Sequence, residues 1–388
     1  MIEREKKGRS SDMKHRRVFS LLTAAAMLCL LAGCGSPPPG TASDSTSKEE
    51  GPVYQYLTLG NTYFRIEEGT PLYFNGRWFD KEIGGQTVKA STNNGAELYF
   101  LVSGTESVTL LCPDNGNMEN TTPVLAYCID GADFDPVRVS VEDNKALIPL
   151  PDTGDHIVRV INESRNAGGD KWNTGCGYAV AGVDAGSGTT TGLKPMNRTI
   201  AFYGDSITEG DFVFDLNWNL GSSGTYTYAW QAARELGAVP YICGYGSSGV
   251  MQDGFFRDAL TASQYMTNGV PDPGPEDPAV IVINHGANDQ NYPDADVTAK
   301  YRAFVEHLHE KYPNAVIVAF EAFGHFKKDA VEKAVEGLDY AHFVTTEGLK
   351  LSFTDGLHPN RAGAEKAGKY LAEKITELVG EDFFLYQT

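Results

Sequence analysis

Four short apolar runs in the second half of the chain, Thr199–Tyr203, Pro240–Cys243, Ala279–Asn284 and Ala315–Phe320, restrict what it can fold into more than any other feature. Runs of this kind are strands covered on both faces, as in a parallel sheet. Helical patterns lie between and after them. Val297, Tyr301, Phe304, Val305, Leu308 and Tyr312 keep the spacing of one helix face, and Ala367, Tyr370, Leu371, Ile375 and Leu378 do so near the C-terminus. Alternating strand and helix predicts a three-layer α/β/α domain over residues 196–382, with its ligand site at the carboxyl ends of the strands.

The first half has a different grammar. Short β-type runs at Glu97–Val102, Ser107–Cys112, Pro123–Ile129, Val137–Val141, Ala146–Leu150 and His156–Ile161 are separated by turn residues such as Asn94-Gly95 and Asn115-Gly116. This spacing predicts an antiparallel, jelly-roll-like β-sandwich over residues 53–190. The Gly/Thr/Ser stretch Gly186–Gly192 and Leu193-Lys194-Pro195 read as the break between the two domains. A chain of 388 residues exceeds what one core usually holds, which agrees with that division.

Seven Lys or Arg in residues 1–17 precede sixteen uncharged residues, Val18 to Gly33, the n-region and h-region of a secretory signal over residues 1–33. The run is shorter than a membrane span and ends in Leu31-Ala32-Gly33-Cys34, which resembles a bacterial lipobox. That resemblance implies lipidation at Cys34, a membrane anchor there and an extracytoplasmic location, with a short uncleaved anchor as the alternative. Residues 34–52 are Pro, Gly, Ser, Thr and acidic residues, the composition of a flexible tether. The chain carries −19, and residues 1–17 hold seven bases against Glu3, Glu5 and Asp12, so the remainder is near −23. Such a charge repels phosphate backbones and argues against nucleic acid as a partner, although simple solubility explains it as well. Cys112, Cys128, Cys176 and Cys243 lack zinc-ligand spacing. Outside the cytoplasm disulfides are permitted, with Cys112 and Cys128, both in the first domain, as the pair to form one, while buried thiols are equally open.

Three motifs sit where the α/β architecture would place a site. Gly204-Asp205-Ser206-Ile207-Thr208 follows the first parallel run, so Ser206 is either an exposed nucleophile or a helix N-cap. Gly286-Ala287-Asn288-Asp289 follows the third run, where Asn288 offers an amide donor for an oxyanion or serves only the turn. Asp355-Gly356-Leu357-His358 precedes the last helix, at a spacing that brings the carboxylate to the imidazole and frees the other ring nitrogen for Ser206. Taken alone, that spacing also suits a surface hydrogen bond.

In this order the motifs resemble the first, third and fifth blocks of SGNH/GDSL hydrolases, from about Arg198 to Gly380. The resemblance implies a Ser206–His358–Asp355 triad, an oxyanion hole of the Ser206 N–H, a glycine N–H and Asn288, and no metal or cofactor. The second block, within Cys243–Val250, offers Gly249 and, as the alternative, Gly246. The β-rich first domain makes the chain similar in particular to family two carbohydrate esterases, many of which lack the triad Asp. It implies a serine esterase that removes O-acetyl groups from polysaccharide or oligosaccharide. Phe212, Phe214, Trp218, Tyr226 and Tyr228 are expected as a sugar-stacking rim or as core, and His285 as a pocket neighbour or a structural histidine. The rivals are a GDSL lipase or lysophospholipase, which would carry a broad apolar lid, and a non-catalytic sugar-binding lipoprotein, which would lack a catalytic residue.

Overall fold

The computed structural model describes residues 55–116, 122–132, 135–165 and 168–386. The expected signal peptide, tether and Cys34 lie outside the described residues. The described residues form one compact unit.

In its first part, the strand Glu97–Ser103 pairs antiparallel with His156–Ser164 and Thr189–Pro195 within an eight-stranded sheet. A three-stranded sheet, Ser107–Leu111, Lys145–Pro149 and Gly182–Asp184, faces it. Leu98, Phe100, Val102, Val158 and Val160 of the large sheet share one core with Val108, Leu110, Ala146 and Ile148 of the small one. Side-chain alternation explains the pattern: Ala146 and Ile148 are buried while Leu147 between them is exposed. The stretch expected as an interdomain break is instead the strand Thr189–Pro195, inserted between Thr62–Glu67 and Glu97–Ser103. Its threonines suit a pleated surface. At Gly192 a Cβ would lie 3.0 Å from the backbone at Leu72 and Tyr73, so glycine here serves close approach of a neighbouring segment.

The second part has five parallel strands in the order Val239–Gly244, Thr199–Gly204, Val280–Asn284, Val316–Phe320 and Ala341–Val344. Alternate side chains enter opposite layers. Tyr203, Ile281, Ile283 and Ile317 pack on Val297, Tyr301, Phe304, Val305 and Leu308 of the helix Asp294–Lys311. Ile200, Phe202, Val280, Val282 and Val318 pack on the helices Tyr228–Leu236 and Arg361–Val379. Burial on both faces is why these strands read as continuous apolar runs. The first strand lies between the second and third, so the chain reverses direction across the sheet there, the place where open α/β sheets leave a crevice.

The two parts are joined by apolar and ionic contacts. Ala126, Cys128 and Ile161 of the large antiparallel sheet enter the core beneath the helix Tyr228–Leu236. Trp230 Nε1 donates to Glu97 Oε1 at 2.9 Å. Arg77 forms a fully buried ion pair with Asp272 and also donates to Asn93 Oδ1 at 2.8 Å. Cys112, Cys128, Cys176 and Cys243 remain as buried thiols rather than a Cys112–Cys128 disulfide, and burial pushes Cys112 and Cys243 up to about 12.

Asp272→Ala leaves the Arg77 guanidinium buried without its counter-charge, a defect that costs about 3–5 kcal/mol. Urea unfolding followed by circular dichroism is expected to show that loss, and an unchanged midpoint would contradict the role given to this pair.

Candidate active site

The first parallel strand ends at Gly204, and Asp205 caps the single helical turn Ser206–Glu209, its Oδ1 accepting from the Ile207 N–H at 3.0 Å. Gly204 admits the turn because a Cβ there would fall 2.0 Å from Thr208 Oγ1. Ser206 thus stands at the carboxyl end of the strand. Its Oγ lies 2.8 Å from His358 Nε2, and His358 Nδ1 lies 2.7 Å from Asp355 Oδ2. The three residues form one hydrogen-bonded chain across a sequence separation of about 150 residues.

Gly356, at φ +89°, folds the Asp355–His358 segment so that Asp355 Oδ1 also accepts from the Leu357 and His358 N–H groups at 2.9 and 2.8 Å. Burial raises the Asp355 carboxyl, but these bonds and the imidazole outweigh it and hold the group below the usual range. An ionised Asp355 fixes the tautomer with the proton on Nδ1, leaving Nε2 to accept from Ser206.

Asn288 reaches the site after the third strand. Its Nδ2 lies 2.9 Å from the Ser248 carbonyl and 3.2 Å from Asp205 Oδ2. The Ser206 N–H has no acceptor among the described residues. The two glycines of the second block differ from the expectation. Gly249 N–H donates to the Gln252 carbonyl at 2.9 Å, and Gly246 N–H to Glu209 Oε2 at 2.7 Å, so neither is left for an oxyanion. The reason is a loop wound around Asp289, whose carboxylate accepts from the N–H groups of Val250, Met251 and Gln252 at 3.0, 2.9 and 3.2 Å. Position 249 requires glycine because a Cβ would meet Asp289 Oδ1 at 2.2 Å.

Phe212, held at φ +56°, sets its ring edge-on to His358 at 5.2 Å and to Trp218 at 5.0 Å, and Trp218 meets Phe255 at 6.1 Å. Trp218 and Phe255 are exposed, so the aromatic row runs from the imidazole out to solvent. Phe214 lies against Tyr226 at 5.9 Å. Tyr228 belongs to the core, where its hydroxyl meets Thr208 Oγ1 at 2.8 Å. His285 is a structural histidine: it is buried beside Phe304, and burial pushes it down to about 4.

Residues 202–366 match the GDSL-like Lipase/Acylhydrolase family. No curated protein matches the sequence. The chain is similar to a family two carbohydrate esterase from Clostridium thermocellum solved with cellohexaose, at 21% identity and TM-score 0.64, over 80% of this chain and 99% of that one. It is similar to the acetyl xylan esterase Est2A from Butyrivibrio proteoclasticus at 17% identity and TM-score 0.65, over 84% and 99%. A salicylyl-acyltransferase from a tetracycline biosynthetic pathway is a more distant likeness, at 15% identity and TM-score 0.54, over 84% and 99%. The chain therefore has the two-part fold of family two carbohydrate esterases.

Asp205, Asp289 and Glu209 are the site residues that sequence reasoning missed, although each lies within or directly beside a motif it had singled out. Asp205 is fully buried, and burial pushes it up to about 7, with its hydrogen bond from Ile207 opposing and Asp289 and Asp211 adding to the rise. A carboxyl raised in the fold contributes stability that is complete below its unfolded value near 4 and lost as pH rises through about 7. The unfolding free energy of the wild type relative to Asp205→Asn is therefore expected to fall between pH 5 and pH 7 in urea titrations. A difference that is flat or rises over that range would contradict the assignment.

Proposed function

We propose that this chain is an extracytoplasmic, lipid-anchored serine esterase that removes O-acetyl groups from polysaccharide or oligosaccharide. The hydrogen-bonded chain Ser206–His358–Asp355 at the carboxyl end of the parallel sheet carries the reading. His358 Nε2 takes the Ser206 proton as Oγ attacks the ester carbonyl, forming the Oγ–C bond. The oxyanion is held by the Ser206 N–H and by Asn288, whose amide gives up its longer contact with Asp205. Collapse breaks the bond to the sugar oxygen, which takes the proton from His358, and the acetyl group stays on Ser206. Water, deprotonated by His358, then releases acetate and restores the hydroxyl.

The sugar side of the reading is supported by the aromatic row Phe212, Trp218 and Phe255, which leads from His358 to two rings exposed to solvent. Solved structures with this fold include carbohydrate esterases, one in complex with cellohexaose and one an acetyl xylan esterase. The lipid anchor and location rest on Leu31–Cys34 and the charge-free run before it. A second reading, hydrolysis of long-chain acyl esters, is favoured by Leu216 and Leu220, which stand exposed on either side of Trp218.

Acetate release from acetylated xylan, acetylated glucomannan and acetylated peptidoglycan, measured beside hydrolysis of a long-chain 4-nitrophenyl ester, separates the two. The proposal expects acetate release from at least one polysaccharide, little turnover of the long-chain ester, and loss of all turnover in Ser206→Ala with folding retained. Preference for the long-chain ester would overturn the substrate class, and wild-type turnover in Ser206→Ala would overturn the mechanism.

A further inference from the structure

We propose that Glu209, gripped by Arg165 and Lys171 of the antiparallel part, is a positioning residue that ties the loop after the second parallel strand to the turn carrying Ser206. The inference rests on the esterase reading of Ser206 and goes beyond it, because it assigns a role in catalysis to residues outside the α/β layers.

Glu209 ends the catalytic turn, three residues after Ser206, and its side chain is fully buried. Its Oε1 accepts from Arg165 Nη2 at 2.7 Å and from Lys171 Nζ at 2.6 Å, and its Oε2 accepts from the Gly246 N–H at 2.7 Å. Its backbone carbonyl accepts from Asn94 Nδ2 at 3.0 Å. Arg165 follows the strand His156–Ser164, and Lys171 opens the short helix Lys171–Thr174, so both cations come from the antiparallel part. Two buried cations on one carboxylate oxygen are costly to desolvate, and burial indeed lowers the Lys171 amine from its ordinary value. Asp211, also buried, adjoins this cluster, where burial and the Glu209 charge push its carboxyl up to about 7 against the pull of Lys171 and Arg165.

The anchored loop carries the groups around the oxyanion position. Gly244 lies so close to the catalytic turn that a Cβ would meet the Glu209 nitrogen at 2.4 Å. Two residues past the anchored Gly246, the Ser248 carbonyl receives the Asn288 amide. A shift of the Gly246 anchor therefore moves Ser248, the orientation of Asn288 and the donor it offers. The carboxylate is the one side chain that can accept from two cations on one oxygen and from a backbone N–H on the other. A glutamine would direct its NH2 group at one of these donors.

The test compares wild type, Lys171→Met and Glu209→Gln by two measurements: kcat and KM on 4-nitrophenyl acetate, and titration of Ser206 with a fluorophosphonate. The amplitude of the titration counts folded sites, and its rate reports how well the oxyanion position is built. The inference expects full amplitude in at least Lys171→Met, with kcat and labelling rate reduced roughly 10- to 100-fold and KM little changed, the cost of small misplacement at a reacting centre. Variants that label at the wild-type rate, whether at full or reduced amplitude, would show a structural role only and overturn it. A wild type that neither hydrolyses the ester nor labels would overturn the esterase reading itself, an outcome distinct from failure of the variants alone.

Discussion

The register of the parallel sheet is the constraint on which the site depends. Gly204 pairs with Gly244 on one side and with Asn284 on the other, so the last residues of three strands lie side by side. The turn bearing Ser206, the loop bearing Ser248 and the segment bearing Asn288 consequently leave the sheet at one level, within hydrogen-bond reach of one another. The chain beyond the fifth strand brings Asp355 and His358 to the same edge just ahead of the helix Arg361–Val379. A register slip of a single residue in any of these strands would turn its side chains to the opposite layer and dismantle both cores as well as the site.

Carboxylates crowd this edge, and each is tolerated for a different reason. Asp289 is saturated by three backbone N–H groups, and Glu209 by two cations and one N–H. Asp355 and Asp205 have opposite tendencies. Asp355 has two backbone donors and an imidazole and stays acidic, whereas fully buried Asp205 has one backbone donor and a shared amide and holds its proton up to about neutrality. The arrangement keeps a negative charge where it orients His358 and weakens it where it would compete with an oxyanion for Asn288.

Local pattern revealed whatever depended on local burial. The parallel strands announced themselves because both faces are covered, and the helix Asp294–Lys311 because one face is. The candidate triad Ser206–His358–Asp355 is legible because each of its motifs sits beside a strand end or a helix start. Gly186–Pro195 reads as a break because its Gly, Thr and Ser content resembles a linker, while the pairing that makes Thr189–Pro195 a strand comes from segments about 90 and 125 residues away. The second block was illegible for a related reason: which N–H groups are engaged depends on Asp289 and Glu209, side chains from other elements that meet the loop only in the fold. The buried cations Arg165 and Lys171 gave no signal at all, since nothing near them in sequence hints at a partner across the junction.

The central claim is that Ser206 takes up the acyl group of an ester. Mixing the protein with excess 4-nitrophenyl acetate, quenching in acid within the first turnovers and mapping the digest by tandem mass spectrometry tests it directly. The account predicts one acetyl group, on Ser206, that accumulates in the wild type and is missing from His358→Ala. An acetyl group found on another residue, or steady hydrolysis with no acyl-enzyme in wild type or in any slowed variant, would contradict it.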